Sequence, residues 1–259
     1  MLPQRRIPAL AALPRPLFAR SESLAERTTT PWHAHPWAQL SYAISGVLRV
    51  HTESGRFLAP PQRAILIPPG LLHEVISSPH TEMRSLYIDR QAVRWASAHC
   101  QVLAVSPLLR ELIRAFGALP VEYDEQGADG RLAAVLLDQL RAAPELGYSL
   151  PWPGDARLRQ LCEALYRQPD LPLGLAQWSE RLQVSEKTLT RQFQRDTGLS
   201  FRAWRQRVRL LSALPLLEQG QPVTDVALAC GYESTSAFIA AFAQQFGSTP
   251  GALSRSRQR

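Results

Sequence analysis

The sequence predicts a two-domain α+β protein: an N-terminal antiparallel β-barrel, then linker helices and an all-α domain built on two helix-turn-helix units. Three observations carry this reading. Between Trp32 and Asp89, short apolar β-runs alternate with turns rich in Gly and Pro, the punctuation of a small barrel or sandwich. After Arg90 the apolar residues recur at helical spacing. The last hundred residues contain an internal repeat.

Residues 1–30 read as an N-terminal arm, with prolines at 3, 8, 14 and 16 and little periodicity. The barrel domain is expected over 31–145. Its strands are AQLSYAISG, VLRVHT, RFLA, RAILIPPG, LLHEVISS and MRSLYID, and linker helices follow over 106–117 and 129–142. On the second of these, Leu132, Val135, Leu136 and Leu140 form one stripe, suited to core packing or to a partner helix. PELGYSLPWPGD (144–155) is a linker. The helical domain spans 155–254, with its two units at about 175–196 and 223–246.

The repeat pairs Leu175–Phe193 with Val223–Phe242. Each copy has a short apolar helix, a tight turn, and a serine (Ser185, Ser234) placed to N-cap a second helix. Aligning on the serines superimposes Leu189 on Phe238 and Phe193 on Phe242, an i,i+4 pair on one buried face. Ser200–Glu218 joins the copies as a helix bearing Arg202, Arg205, Arg207 and Arg209. Its length, roughly 27 Å at 1.5 Å per residue, approaches one turn of DNA. Pro215 is expected to kink it near its last turn.

Composition narrows the partners. The 259 residues carry a net charge of +7, and 28 of 29 basic residues are arginine, Lys187 being the lone lysine. From Pro151 onward there are 14 basic and 9 acidic residues, against 15 and 13 before it. The excess on the helical domain suits a polyanion. No apolar run approaches the roughly 20 residues that span a bilayer. Cys100, Cys162 and Cys230 are widely spaced and lack CxxC patterning, as expected of free thiols in a reducing cytoplasm.

The first reading helix turns Lys187, Thr190, Arg191 and Gln194 outward, with Ser185 and Thr188 in its first turn. Arginine can bond guanine bidentately, and Thr or Lys can reach base edges or phosphates. Arg205 of the joining helix adds a basic contact. The second helix offers the hydroxyls of Ser234, Thr235 and Ser236, and Ile239 for a thymine methyl. It has Ala240 opposite Arg191 and an uncharged Ala243, so it is expected to be the weaker reader. These elements, with Thr197-Gly198, Val226-Ala227-x-x-x-Gly231-Tyr232 and Phe246-Gly247-x-Thr249-Pro250, resemble the AraC/XylS family of transcription regulators. The resemblance implies seven helices holding two helix-turn-helix units. It also implies a common Arg or Lys at the position of Ala243, from which this chain departs.

His33-Ala34-His35, Gln39 and Gly46 resemble the first cupin motif, with Gln where Glu is usual. Pro68-x-Gly70-x-x-His73 resembles the second. Alternation along one strand would send His33, His35 and Gln39 to one face, and a hairpin return would bring His73 beside them. That set suits one divalent transition metal (Zn, Ni, Fe or Mn). Alternatively, the imidazoles hydrogen-bond an organic effector. Trp32, Trp37, Tyr42 and Tyr87 are candidates to line an effector pocket, while His51, His80 and His99 are expected at the surface. The resemblance to cupin sensor domains implies a regulator, activator or repressor, that senses a small molecule or metal, in the cytoplasm that the free thiols suit. Its partners would be promoter DNA, RNA polymerase and a second copy of the chain. The competing reading is a cupin-type metal-dependent enzyme with an accessory helical domain. Gln39 argues against it by removing the carboxylate of the two-His-one-carboxylate iron triad, so no catalytic residue is expected.

Overall fold

Proline sets the corners of the N-terminal domain. The computed structural model describes residues 3–5 and 10–255; residues 1, 2 and 6–9 of the expected arm and 256–259 of the tail lie outside the described residues. The chain divides into two units, Met1–Thr52 with Phe57–Ser149, and Glu53–Arg56 with Leu150–Arg259.

The strands are β1 (Leu17–Leu24), β2 (Thr29–His33), β3 (Ala38–Ser45), β4 (Leu48–Thr52), β5 (Gly55–Ala59), β6 (Arg63–Ile67), β7 (His73–Ser77), β8 (Thr81–Ile88), β9 (Gln101–Ala104) and β10 (Ser149–Pro151). They form two five-stranded sheets, ordered β1-β8-β3-β6-β9 and β10-β5-β4-β7-β2. The chain therefore changes sheet between almost every pair of successive strands, in a jelly-roll-like sandwich rather than the closed barrel expected. The crossings β2–β3, β5–β6, β6–β7 and β7–β8 carry Pro36, Pro60-Pro61, Pro68-Pro69 and Pro79. A residue without an N–H cannot extend a ladder, so each sheet stops at its corner instead of running on around a barrel. At the β3–β4 crossing Gly46 takes a φ of +79°. A Cβ there would also run into the hydroxyls of Thr81 and Ser78.

The expected arm is corrected at its C-terminal end. β1 pairs antiparallel with β8 along its whole length, from Leu17↔Ile88 to Leu24↔Thr81. Only Leu17 of its LFARSESL is buried, so this edge strand gives no apolar alternation to read. β2 also starts inside the arm, at Thr29. Its Pro31 is tolerated because β2 lies at the edge of its sheet.

The helices α1 (Pro107–Phe116) and α2 (Ala128–Ala142) match the two linker helices expected. The Ser106 hydroxyl caps α1 by accepting from the Leu109 N–H at 3.1 Å. Leu109, Ile113, Phe116, Leu136 and Leu140 pack on Ala38, Leu40, Tyr42, Leu66 and Leu86 of the first sheet. The stripe on α2 divides: Leu136 and Leu140 enter this core, while Val135 is 45% exposed. Since alternate residues of β3 face the helices, Gln39 and Ser41 turn to the opposite face.

Among the described residues seven helices follow: α3 (Ala156–Arg167), α4 (Leu175–Arg181), α5 (Glu186–Thr197), α6 (Phe201–Glu218), α7 (Val223–Ala229), α8 (Thr235–Phe246) and α9 (Pro250–Arg255). The repeat is reproduced residue by residue. α5 and α8 each have twelve residues, a serine N-cap whose oxygen accepts a backbone N–H, and a left-handed glycine C-cap, Gly198 or Gly247. Leu189, Phe193, Phe238 and Phe242 are fully buried. The second turn is one residue longer, and its Gly231 has a φ of +77°. A Cβ at Gly231 would come within 2.8 Å of the Asp170 backbone. α6 stays helical through Pro215 to Glu218. Its buried Trp204 packs on Phe193 and Trp152 and donates from Nε1 to the Pro151 carbonyl at 2.8 Å.

Candidate functional site

The structure brings His33, His35 and His73 together, but not by the route the sequence suggested. His33 and Gln39 lie on different strands of different sheets, and His35 sits on the crossing between them. Pro36 ends β2 before the alternation can continue. His33 and His73 are register partners across β2 and β7, which are not a hairpin. The Gly70 N–H donates to the His35 carbonyl at 2.8 Å and ties the β6–β7 loop to the crossing. Ring centroids are 4.3 Å apart for His33–His73, 5.2 Å for His35–His73 and 5.7 Å for His33–His35.

Backbone carbonyls fix all three tautomers. Nδ1–H donates to Pro31 from His33, to Trp37 from His35 and to Leu71 from His73, each at 2.8 Å. A carbonyl can only accept, so each Nδ1 carries the proton and each Nε2 keeps its lone pair. One ring nitrogen from each residue lies within 4.8 Å of the others. His73 is fully buried and its Nε2 has no hydrogen-bond partner. A converging set of Nε2 atoms, backed by Nδ1–H bonds to backbone oxygen, is the arrangement metal-ligating histidines use.

Gln39 completes the cluster. Its Oε1 lies 3.0 Å from His35 Nε2, and its Nε2 donates to Ser41 Oγ at 3.0 Å. In this orientation two acceptors face each other, as a cation between them would favour. Turned end for end, the amide instead donates to His35 and accepts from the Ser41 hydroxyl, so Gln39 can serve an empty or a filled site. Ser41 and the three carbonyls are the members sequence reading missed, because neither a hydroxyl on a strand nor a backbone oxygen leaves a motif.

Burial holds the imidazoles neutral. Desolvation pushes His73 down to about 4, with the neighbouring His33 and His35 adding to the effect. It also lowers His33 and His35, and in both the hydrogen bonds to backbone oppose the shift without cancelling it.

Of the expected pocket residues, Trp37 stacks on His35 at 5.4 Å, and Tyr87 meets both edge-on at 6.2 and 6.3 Å. Trp37 is buried and its Nε1 has no partner. Tyr42 is corrected: it lies on the other face of β3, in the core beneath α1 and α2, because position 42 is odd-numbered steps from Gln39 on a period-two strand. Trp32 is 44% exposed. His51 is not a free surface residue either, since its Nδ1 pairs with Glu74 at 2.9 Å.

On α5, Lys187, Thr190 and Arg191 are exposed. Thr188 and Gln194 are partly committed to the ends of the helix. The Thr188 hydroxyl accepts from Ser185 Oγ at 2.9 Å, and Gln194 Nε2 donates to the Gly198 carbonyl at 2.9 Å. Arg205 is half-buried and gives its Nη groups to the Leu171 and Leu173 carbonyls, so it braces a loop rather than standing free for DNA. On α8, Ser234 caps the helix through the Ala237 N–H, Ser236 is exposed and Ile239 is 36% exposed.

Residues 15–189 match the model of the AraC-like ligand binding domain, and residues 178–256 match a helix-turn-helix domain. The chain is 35% identical over 226 residues to the HTH-type transcriptional regulator NimR of Escherichia coli (strain K12), covering 87% of this chain and 82% of that one. The chain belongs to the AraC family. A shorter likeness, 30% over 98 residues, reaches the HTH-type transcriptional activator RhaR of Klebsiella pneumoniae, with 38% of this chain and 35% of that one covered. Among solved structures, ToxT from Vibrio cholerae superimposes with a TM-score of 0.40 at 10% identity, over 93% of this chain and 98% of that one.

As an AraC-family member the protein is a DNA-binding transcription regulator with an N-terminal ligand-binding domain, not an enzyme. The lowered histidines make its stability depend on pH. In the unfolded chain the imidazoles protonate near 6.5, whereas the folded protein resists, so acid favours unfolding. With a chelator present, unfolding free energy should be flat above pH 6.5 and fall as pH drops towards about 4, where His73 protonates in the folded state. The His73 share is on the order of 3 kcal/mol. Urea titrations at a series of pH values check this, and His73→Leu should flatten the slope. A slope of opposite sign, or one unchanged in the variant, would contradict neutral burial.

Proposed function

We propose that this regulator reads promoter DNA with α5 and α8 and responds to a divalent transition metal held by His33, His35 and His73, with the Gln39 amide oxygen as a fourth donor. The observation that carries the metal reading is the buried, unpartnered His73 Nε2, facing two more imidazoles whose Nδ1–H groups are already bonded. All four donors are neutral. A bound Zn, Ni, Fe or Mn ion would bring two positive charges among donors that carry none, and would draw an anionic partner.

A second reading rests on Trp37. Its orphaned Nε1 is a donor and the orphaned His73 Nε2 an acceptor, and His35 lies between the two rings, so a small organic effector stacked among Trp37 and Tyr87 could use both. Metal content separates the two.

The likeness to an activator supports a positive role that engages RNA polymerase. Leu108 and Val135, apolar and 55% and 45% exposed on α1 and α2, support a homodimer contact. Three buried free cysteines, and the lack of a helix long and apolar enough to cross a membrane among the described residues, agree with a cytoplasmic site of action.

Purified without chelator, the protein should hold up to one divalent metal per chain, and His33→Ala with His35→Ala should abolish it. Elemental analysis and titration of upstream duplex DNA with loaded and stripped protein test this. No metal after reloading, or metal that persists in the double variant, would remove it. Arg191 is exposed and outside every hydrogen bond and ion pair among the described residues. Arg191→Ala should therefore cost about 1–3 kcal/mol on the operator and relax preference in one half-site. Equal loss on random DNA would make Arg191 a phosphate contact instead.

A further inference from the structure

α6 and α8 enclose a cleft of about 470 Å³. One wall is Arg202, Arg205, Gln206 and Arg209 of α6, at i, i+3, i+4 and i+7 and thus on one helix face. The other wall is Ala237 and Ala241 of α8, with Tyr232 between the two. At 100° per residue these alanines lie on the flank of α8, between its exposed Ser236, Ile239 and Ala240 and its buried Phe238 and Phe242.

The arginines of the cleft form no ion pair among the described residues. Arg205 and Arg209 donate only to neutral carbonyls, of Leu171, Leu173 and Pro169. Arg202 is exposed, and none of the three has a carboxylate in ion-pair range among the described residues. The Tyr232 ring is held by Phe238 at 5.3 Å and by the Arg209 guanidinium at 5.9 Å. Its hydroxyl is buried without a partner, as is Arg205 Nε.

We propose that this cleft seats the sugar–phosphate backbone that runs beside α8 when α8 lies in the major groove, with Arg202 and Arg209 facing phosphate oxygens. A groove about 12 Å wide admits one helix, so a phosphate ridge must pass along each flank of that helix. Where α8 lines the cleft it presents the methyl groups of Ala237 and Ala241, which lets the ridge approach the arginines. At the equivalent positions of the first unit stand Thr188 and Gln192. The second reader therefore takes its phosphate charge from α6, which offsets the missing charge at Ala240 and Ala243. Such a contact strengthens binding to any sequence and reads none.

The test uses the full chain, a random duplex and the duplex upstream of its own gene, titrated at several salt concentrations. Arg202→Gln should weaken both complexes several-fold by the same factor and flatten the log–log salt dependence by about 0.9, one phosphate's worth. Arg202→Lys should restore the slope. Tyr232→Phe keeps the ring that packs on Arg209 and, because the hydroxyl is buried, should leave affinity and slope unchanged. Thermal unfolding reports on folding, and exposed Arg202 decides the matter if Tyr232→Phe is unstable. Wild-type affinity and slope in Arg202→Gln would overturn the proposal, as would a loss confined to one sequence. Inorganic phosphate that raises the unfolding temperature only when Arg202 is intact, with DNA affinity unchanged, would assign the cleft to a small anion instead.

Discussion

Three imidazoles can share an apolar interior only if all are neutral and every ring proton has an acceptor. Much of the N-terminal domain follows from meeting that condition. Pro31, Trp37 and Leu71 each present a carbonyl at 2.8 Å to the Nδ1–H of a histidine two residues away. Those carbonyls are available because Pro31 lies in the register shift of β2 between Thr30 and His33, and Trp37 and Leu71 lie on crossings, where the ladder does not claim them. Pro36 and Pro68-Pro69 keep them there by preventing the strands from continuing. The Gly70-to-His35 hydrogen bond then holds the two crossings together. A charged imidazole at any of the three positions would repel the others and lack solvation.

The same strand that supplies Gln39 also builds the core. On β3, Ala38, Leu40 and Tyr42 pack under α1 and α2, while Gln39 and Ser41 face the histidines. A ligand that turns the Gln39 amide therefore acts on a strand whose other face is locked into the helices. The C-terminal unit divides its labour in a similar way. Leu189, Phe193, Phe238 and Phe242 are spent on the core, the serines on caps, and what remains outward is Lys187, Thr190 and Arg191 on one reader and Ser236 and Ile239 on the other.

The parts of this architecture visible in the sequence are those with a strong period or a strong local rule. β3 to β8 announce themselves by apolar runs between prolines and glycines, and the two readers by a serine cap and a phenylalanine pair at fixed spacing. β1 is invisible because an edge strand with one buried residue has no alternation. The two-sheet closure is invisible because crossing between sheets and continuing around a barrel leave the same strand list. The histidines were legible as a set, but their assembly was not, since His35 lies on a crossing and not on the strand of Gln39. Tyr42 was misplaced for want of a strand start from which to count its face. Arg205, Thr188 and Gln194 read as free polar groups, and only three-dimensional structure reveals the carbonyls and hydroxyl to which they are bonded.

The tautomers of His33, His35 and His73 decide whether the donor set exists, and nitrogen-detected NMR of imidazole-labelled protein reads them directly. In metal-free protein at pH 7, these three of the six histidines should be neutral with the proton on Nδ1 and a bare Nε2. Raising the metal concentration should shift the Nε2 signals and leave the Nδ1–H signals in place. Protons on Nε2, or charged rings at neutral pH, would mean that the carbonyls do not hold the histidines as described, and the converging donor set would not exist.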